Sequence, residues 1–143
     1  MDREPIIIAS GEPNSVFLEI FLKSLKNNSY KSPLIIITSK KLLQGQMKKL
    51  GFTFKINDIE KNLKNFSKLN NNKINLINVN YKFKKCFERI TTKSNKYINE
   101  TFETALSIIK KNNFSKFING PISKKSFLKG KTLGITEYLA KKT

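Results

Sequence analysis

Apolar residues in this chain fall into short β-branched runs separated by stretches with helical spacing. Ile6-Ile7-Ile8-Ala9, entered from Pro5 and closed by Ser10 and Gly11, reads as a strand buried on both faces. After a turn at Glu12-Pro13-Asn14, Ser15 is placed to cap a helix reaching about Lys26. On that helix Phe17, Ile20, Phe21 and Leu25 share one face, and Glu19, Lys23 and Lys26 another. Residues 33–38, centred on Leu34-Ile35-Ile36-Ile37, make a second buried strand. Ser39 then stands where a cap belongs, Leu43, Met47 and Leu50 follow at helical spacing, and Gly51 sits where a helix ends.

Further along, 52–56 reads as a third strand, and Ile59, Leu63 and Phe66 as a short amphipathic helix. The Lys/Asn-rich stretch 68–73 reads as a loop and 74–79 as another strand. Residues 81–92 fit an edge or a loop. The longest helical pattern covers 94–111, with Ile98, Phe102, Ala105 and Ile109 aligned. A strand at 114–118 then runs into Asn119-Gly120-Pro121, and a last helix starts near Thr136. Strands alternating with helix-sized gaps predict an α/β fold, a mainly parallel sheet flanked by helices. Such sheets bind ligands at the carboxyl ends of their strands, where two loops here carry Gly-Pro chemistry, Gly11-Glu12-Pro13 and Gly120-Pro121.

Composition narrows the picture. The 143 residues suit one domain, and 38% hydrophobic content with 11 Phe is enough for a core. No apolar run reaches the roughly 18–20 residues of a membrane span, and the acidic start does not resemble a signal peptide. Cys86 is the single cysteine, so no internal disulfide forms and a cytoplasmic location is expected.

A net charge of +18 would suit a nucleic-acid binder, since lysines on phosphates release counterions. The cations, however, are 26 Lys with only Arg3 and Arg89, and Arg is the residue suited to bidentate phosphate and guanine contacts. The lysines also travel with Asn and Ile, three residue types with A/T-rich codons. Biased genome composition accounts for that pattern, and nucleic acid is the weaker reading.

The candidate chemistry is limited by the absence of histidine, which removes a His base, a Ser-His pair and a His-built metal site. Gly11 allows close backbone approach to a ligand beside the Glu12 carboxylate. After Gly120 and Pro121, Ser123 is a candidate cap, and Lys124 beside it would add to an anion site. Gly134-Ile135-Thr136-Glu137 is a further turn and cap, with the Thr136 hydroxyl available. Each of these also reads simply as a turn, a surface lysine or a cap. Neither a Walker loop nor a Gly-x-Gly-x-x-Gly fingerprint is present.

Taken in order, the segments 6–13, 94–101, 119–124 and 134–140 resemble the N-terminal part of the 4-hydroxythreonine-4-phosphate dehydrogenase (PdxA) family. The stretch from Gly120-Pro121-Ile122-Ser123-Lys124 to Thr136-Glu137-Tyr138-Leu139-Ala140 is the most specific part. The resemblance implies a fold similar to isocitrate and isopropylmalate dehydrogenases, incomplete in this chain. Residues 1–143 would be a single α/β domain, the N-terminal portion of a longer two-domain enzyme.

The same resemblance implies NAD-dependent oxidation, with decarboxylation, of a phosphorylated 4-hydroxythreonine in pyridoxal phosphate biosynthesis. A divalent metal would assist as a Lewis acid, and the complete enzyme would be a homodimer. Substrate-side residues would be Gly11, Glu12, Gly120, Pro121, Lys124 and Thr136, with catalytic residues unassigned.

Two departures stand out. The family's Gly-Glu-Pro-Ala-Gly-Ile-Gly-Pro is here Gly11-Glu12-Pro13-Asn14-Ser15-Val16-Phe17-Leu18, and its Gly-His-Thr-Glu has Ile135 in place of the substrate-binding His. The family's metal-binding histidines lie beyond the position of Thr143. The expectation is a chain inactive on its own, either the front of a longer enzyme or a diverged, noncatalytic remnant.

Overall fold

The computed structural model describes all residues except 1–2, 63, 65, 67 and 130–133. Among the described residues, β1 (Ile6–Ala9), β2 (Leu34–Thr38), β3 (Ile56–Asp58), β4 (Ile74–Asn78) and β5 (Phe117–Asn119) form one sheet in the order β3-β4-β2-β1-β5. Every pairing is parallel, with Ile7 opposite Ile35 and Phe117, and Ile36 opposite Leu76. The helices are α1 (Phe17–Asn27), α2 (Lys40–Leu50), α3 (Asn95–Asn112) and α4 (Ile135–Lys142). A 3-10 turn at Thr92–Ser94 precedes α3, and a π-turn spans Lys124–Leu128. The α/β class and the parallel sheet are as the sequence predicts.

Alternation along the central strands divides the core in two. Ile8, Ile36, Ile74 and Leu76 face Leu18, Phe21 and Leu22 of α1 and Leu42, Leu43 and Met47 of α2. On the other face, Ile7, Ile35, Ile37 and Ile77 meet Ile98, Phe102, Ala105 and Ile108 of α3. Each fully buried Ile or Leu contributes about 1.5–3 kcal/mol, so this double-sided burial holds the sheet. α2 starts and stops as its sequence requires. The Ser39 hydroxyl accepts the Leu42 N–H at 3.2 Å, and Gly51 closes the helix in the left-handed region at φ 78°.

Several elements differ from their sequence expectations. α1 begins at Phe17 with Val16, not Ser15, in the cap position, while the Ser15 hydroxyl donates to the Glu12 carbonyl and accepts the Phe17 N–H. Its buried face is Leu18, Phe21 and Leu22, leaving Ile20 57% exposed. β3 starts at Ile56 because the partner ladder starts opposite it, at Ile74. The described residues between 59 and 66 form turn and coil, not helix, and Leu63 lies outside the described residues. There the Ile59 N–H donates to the Leu76 carbonyl at 2.8 Å, so the sheet claims the residue expected to begin a helix. β5 likewise lies later, at Phe117–Asn119, and 81–91 is a loop that ends at the 3-10 turn.

Among the described residues, no helix is long and apolar enough to cross a membrane. The hydrophobic contacts place α1 and α2, which follow β1 and β2, on one face. They place α3, which follows β4, on the other, together with Ile59, Phe66 and Leu69 of the β3–β4 connection. Chain paths therefore part between β2 and β4, which opens a crevice at the carboxyl ends of those strands.

Candidate functional site

Three loops converge at the carboxyl end of the sheet. The first leaves β1 through Ser10, Gly11 and Glu12, and the second leaves β5 through Gly120 and Pro121. They fit backbone against backbone. The Gly120 N–H donates to the Ala9 carbonyl at 2.6 Å, and the Glu12 N–H to the Pro121 carbonyl at 2.8 Å. A Cβ on Gly120 would lie 1.9 Å from the Ser10 oxygen, and one on Gly11, which has φ +70°, 2.5 Å from the Pro121 oxygen. The close approach these glycines permit is therefore taken up by each other's loop.

Glu12 sits beneath this junction, only 3% exposed. One carboxylate oxygen accepts the Asn14 N–H at 3.1 Å. The other accepts from Ser94 Oγ at 3.3 Å, which ties the β1 loop to the start of α3. Burial pushes the Glu12 carboxyl above its ordinary value, and these two hydrogen bonds oppose the shift.

A second buried knot lies alongside. The Tyr97 hydroxyl accepts the Ser39 N–H at 2.9 Å and shares hydrogen bonds with Thr38 Oγ1 at 2.9 Å and Ser10 Oγ at 3.3 Å. Thus α3 is pinned to the ends of both β1 and β2. Burial raises the Tyr97 phenol, so it stays neutral. Sequence reasoning missed Tyr97 and Ser94 as members of this site. Their partners lie tens of residues away, and no local pattern announces such pairing.

The third loop, 79–91, covers the crevice. Its Glu88 N–H donates to Asn14 Oδ1 at 3.0 Å, while Glu88 Oε1 accepts the Lys84 and Lys85 N–H groups. These backbone bonds hold the Glu88 carboxyl below its ordinary value. Cys86 is half-buried, its thiol raised by burial, with its sulfur 2.8 Å from where a Cβ on Gly45 would stand. Two adjoining clefts open beside this loop. One of about 500 Å³ is lined by Asn80, Tyr81, Lys82, Lys93, Lys96, Tyr97 and Glu100. The other, of about 410 Å³, shares Tyr81, Lys82 and Lys93 and adds Asn14, Lys84, Glu88 and Arg89.

The β5 loop continues past Gly120. Pro121 and Lys124 are exposed, and Ser123 caps the π-turn by accepting the Ser126 N–H at 3.0 Å. α4 begins one residue earlier than expected, with no side-chain cap, so Thr136 lies exposed within its first turn. Ile135 packs toward the α3-side core instead. α4 docks through Tyr138, whose hydroxyl donates to Asn99 Oδ1 at 2.6 Å and whose ring meets Phe102 and Phe127 edge-on. Burial and the nearby Glu103 push the Tyr138 phenol up to about 12. The structure thus brings Gly11, Glu12, Gly120 and Pro121 together, with Lys124 and Thr136 further along the same chain segment.

Metal-ligating side chains do not gather here. The chain has no histidine, and the described residues contain no group of three or more His, Cys, Asp or Glu able to hold an ion. The donor set does not fit a metal site.

Comparison with known proteins places this geometry. No curated protein sequence matches the chain significantly. A solved 4-hydroxythreonine-4-phosphate dehydrogenase from Burkholderia phymatum superposes with a TM-score of 0.79 at 21% identity, covering 96% of this chain and 42% of its own. The enzyme of the same description from Klebsiella pneumoniae gives 0.80 at 16% identity, covering 97% of this chain and 43% of its own. The chain thus spans less than half the length of these structures, and at such identities the likeness is one of fold. The family model described as pyridoxal phosphate biosynthetic protein PdxA matches residues 29–143. By that match, over most of its length, the chain belongs to the PdxA family.

Proposed function

We propose that the chain forms the N-terminal part of an NAD-dependent dehydrogenase acting on 4-phosphooxy-threonine, with decarboxylation, in pyridoxal phosphate biosynthesis. The complete enzyme would be a cytoplasmic homodimer. The observation carrying this reading is the family match over residues 29–143. It is supported by the convergence of the β1 and β5 loops at the sheet end where α/β enzymes bind ligands.

In this reading the chain binds and orients rather than transfers electrons. Gly11 and Gly120 lock two loops at fixed separation, and Glu12 with Ser94 fixes the start of α3 against them. Lys124 offers an ammonium to a phosphate or carboxylate, and Thr136 a hydroxyl, both from exposed positions. Ile135, turned toward the core, offers no polar group. The divalent metal expected of the family finds no fitting ligands among the described residues. NAD supplies hydride acceptance when bound, and no glycine-rich cradle for its pyrophosphate is present in the sequence.

The test is complementation of a pyridoxine auxotroph lacking its own dehydrogenase, comparing the gene's natural reading frame with residues 1–143. Rescue and NAD reduction by the first but not the second is expected. A folded natural product that supports neither overturns the proposed activity. Turnover by residues 1–143 alone overturns the assignment of a binding role.

A further inference from the structure

The adjoining clefts at the β4 end hold an arrangement of charge that the dehydrogenase reading does not use. Lys82, Lys93 and Lys96 line the larger cleft, and Lys84 and Arg89 extend the line into the smaller, all of them exposed. Two acids share the walls. Glu88 accepts the backbone N–H groups of its own loop and is held low also by the charges of Lys85 and Lys93, and Glu100 is the second. The ion pairs found among the described residues are Lys23–Glu19, Lys40–Asp58 and Lys142–Glu103, none of them in the clefts. Three cations therefore line one cleft and two more the adjoining one, none with a salt bridge among the described residues.

Three features separate this cluster from the general lysine surplus. It is concave, so an anion inside is reached by several ammonium groups at once and loses part of its competing water. Its shared wall is aromatic. The Tyr81 ring stacks on Phe83 at 5.8 Å and lies 4.7 Å from Tyr97. It also stands at the crevice where chain paths part between β2 and β4. A cleft of about 510 Å³ at the opposite end of the sheet holds one lysine, Lys26, which already lies over the Phe52 ring at 5.9 Å.

We infer that the Lys82–Lys93–Lys96 cleft is a binding site for a small ligand bearing two or more phosphate charges. Glu88 and Glu100 offset part of the cations' mutual repulsion and an entering anion relieves the rest, and a volume of about 500 Å³ suits a small molecule rather than a duplex. The shared chemistry is pyrophosphate-like, whether free or esterified, and the site does not depend on the dehydrogenase assignment.

The test is NMR titration of the chain with sodium pyrophosphate at about 0.15 M ionic strength, where diffuse attraction is screened. Saturable shifts are expected at Tyr81, Lys82, Lys93 and Lys96. The paired substitution Lys93→Glu with Lys96→Glu should weaken binding at least roughly tenfold, while Lys110→Glu with Lys111→Glu, at the far end of α3, should not. NAD and 4-phosphooxy-threonine, added as competitors, identify an esterified source if either displaces pyrophosphate; if neither does, the free anion is the ligand. Equal weakening by both pairs, or shifts that never saturate, overturns the site. So does complete displacement by a random DNA duplex with a steep salt dependence, which would make the surface a nucleic-acid binder. The wild-type shift map decides the question if a variant fails to fold.

Discussion

The two ends of the sheet carry clefts of almost equal volume, about 510 Å³ at the amino end and about 500 Å³ at the carboxyl end, with opposite chemistry. At the amino end, polar groups are spent on holding the fold. Asn71 accepts the Leu34 N–H at 3.0 Å and donates to the Tyr30 and Ser32 carbonyls, while Asn75 donates to the Leu34 and Asn70 carbonyls. Ser24 and Tyr30 pair hydroxyl to hydroxyl beside them. At the carboxyl end, Glu12 and Tyr97 are equally occupied, but the buried Gln46 Oε1 and Asn95 Oδ1 beside them are not, and the cations above them have no salt bridge among the described residues. Volume alone does not distinguish a binding site from a seam. What distinguishes it is whether the polar and charged groups that line it already have partners.

The carboxyl end also depends on tighter packing. Gly120→Ala is expected to cause the largest loss of stability, about 3 kcal/mol or more, because a methyl group 1.9 Å from the Ser10 oxygen must separate β1 from β5. Urea unfolding measures it, and Gly134→Ala, with nothing within 4 Å of its new methyl, is the control. Equal stability of the two variants would mean that the β1–β5 junction is looser than described. Tyr97→Phe comes next, at about 2 kcal/mol, since it leaves the buried Ser39 N–H without an acceptor. Asn71→Ala at the amino end should cost about 1–2 kcal/mol through the Leu34 N–H. The comparison predicts that Tyr97→Phe, and not Asn71→Ala, also alters pyrophosphate binding, because of the two only Tyr97 lines the basic cleft.

The fold could be read from the sequence wherever local pattern and long-range pairing agree. The runs at Ile6–Ala9 and Leu34–Thr38 are β-branched, closed by turn residues, and buried as expected. Pattern misleads where a neighbour decides. Phe52, Phe54 and Ile56 alternate like a strand, yet only Ile56 has a ladder partner, and the two phenylalanines stack at 6.1 Å outside it. Ile59 and Phe66 are spaced for a helix, but both serve the α3-side core from turn and coil. At the site, the two Gly-Pro loops stand out because glycine after a buried strand carries local information. The Tyr97 and Ser94 links do not, as they bridge 59 and 82 residues of sequence. The basic cleft is hidden for another reason: in a chain with 26 lysines, Lys82, Lys93 and Lys96 look like the rest until the fold sets them around one hollow.

The smallest expected effect tests what lies under that layer of cations. Burial raises the Glu12 carboxyl above its ordinary value of 4.5. Between that value and the higher folded one, the native chain keeps a proton that the unfolded chain has released, so Glu12 lowers stability as pH rises through the window. Glu4, Glu88 and Glu103 run the other way. Hydrogen bonds hold their carboxyls low, so they stabilise above the ordinary value and lose that contribution as pH falls. Those three are common to the native chain and to Glu12→Gln, so the difference between the two proteins isolates Glu12. The glutamine keeps one oxygen for Ser94 or Asn14 and carries no charge to bury. Its stability relative to the native chain should therefore improve by under about 1 kcal/mol between about pH 4 and about pH 7, measured as paired urea midpoints. A difference that is flat with pH, or that grows toward acid, would show that the Glu12 hydrogen bonds outweigh its desolvation. The carboxyl-end framework would then resemble the fully satisfied amino end, and only the exposed lysines would set the two clefts apart.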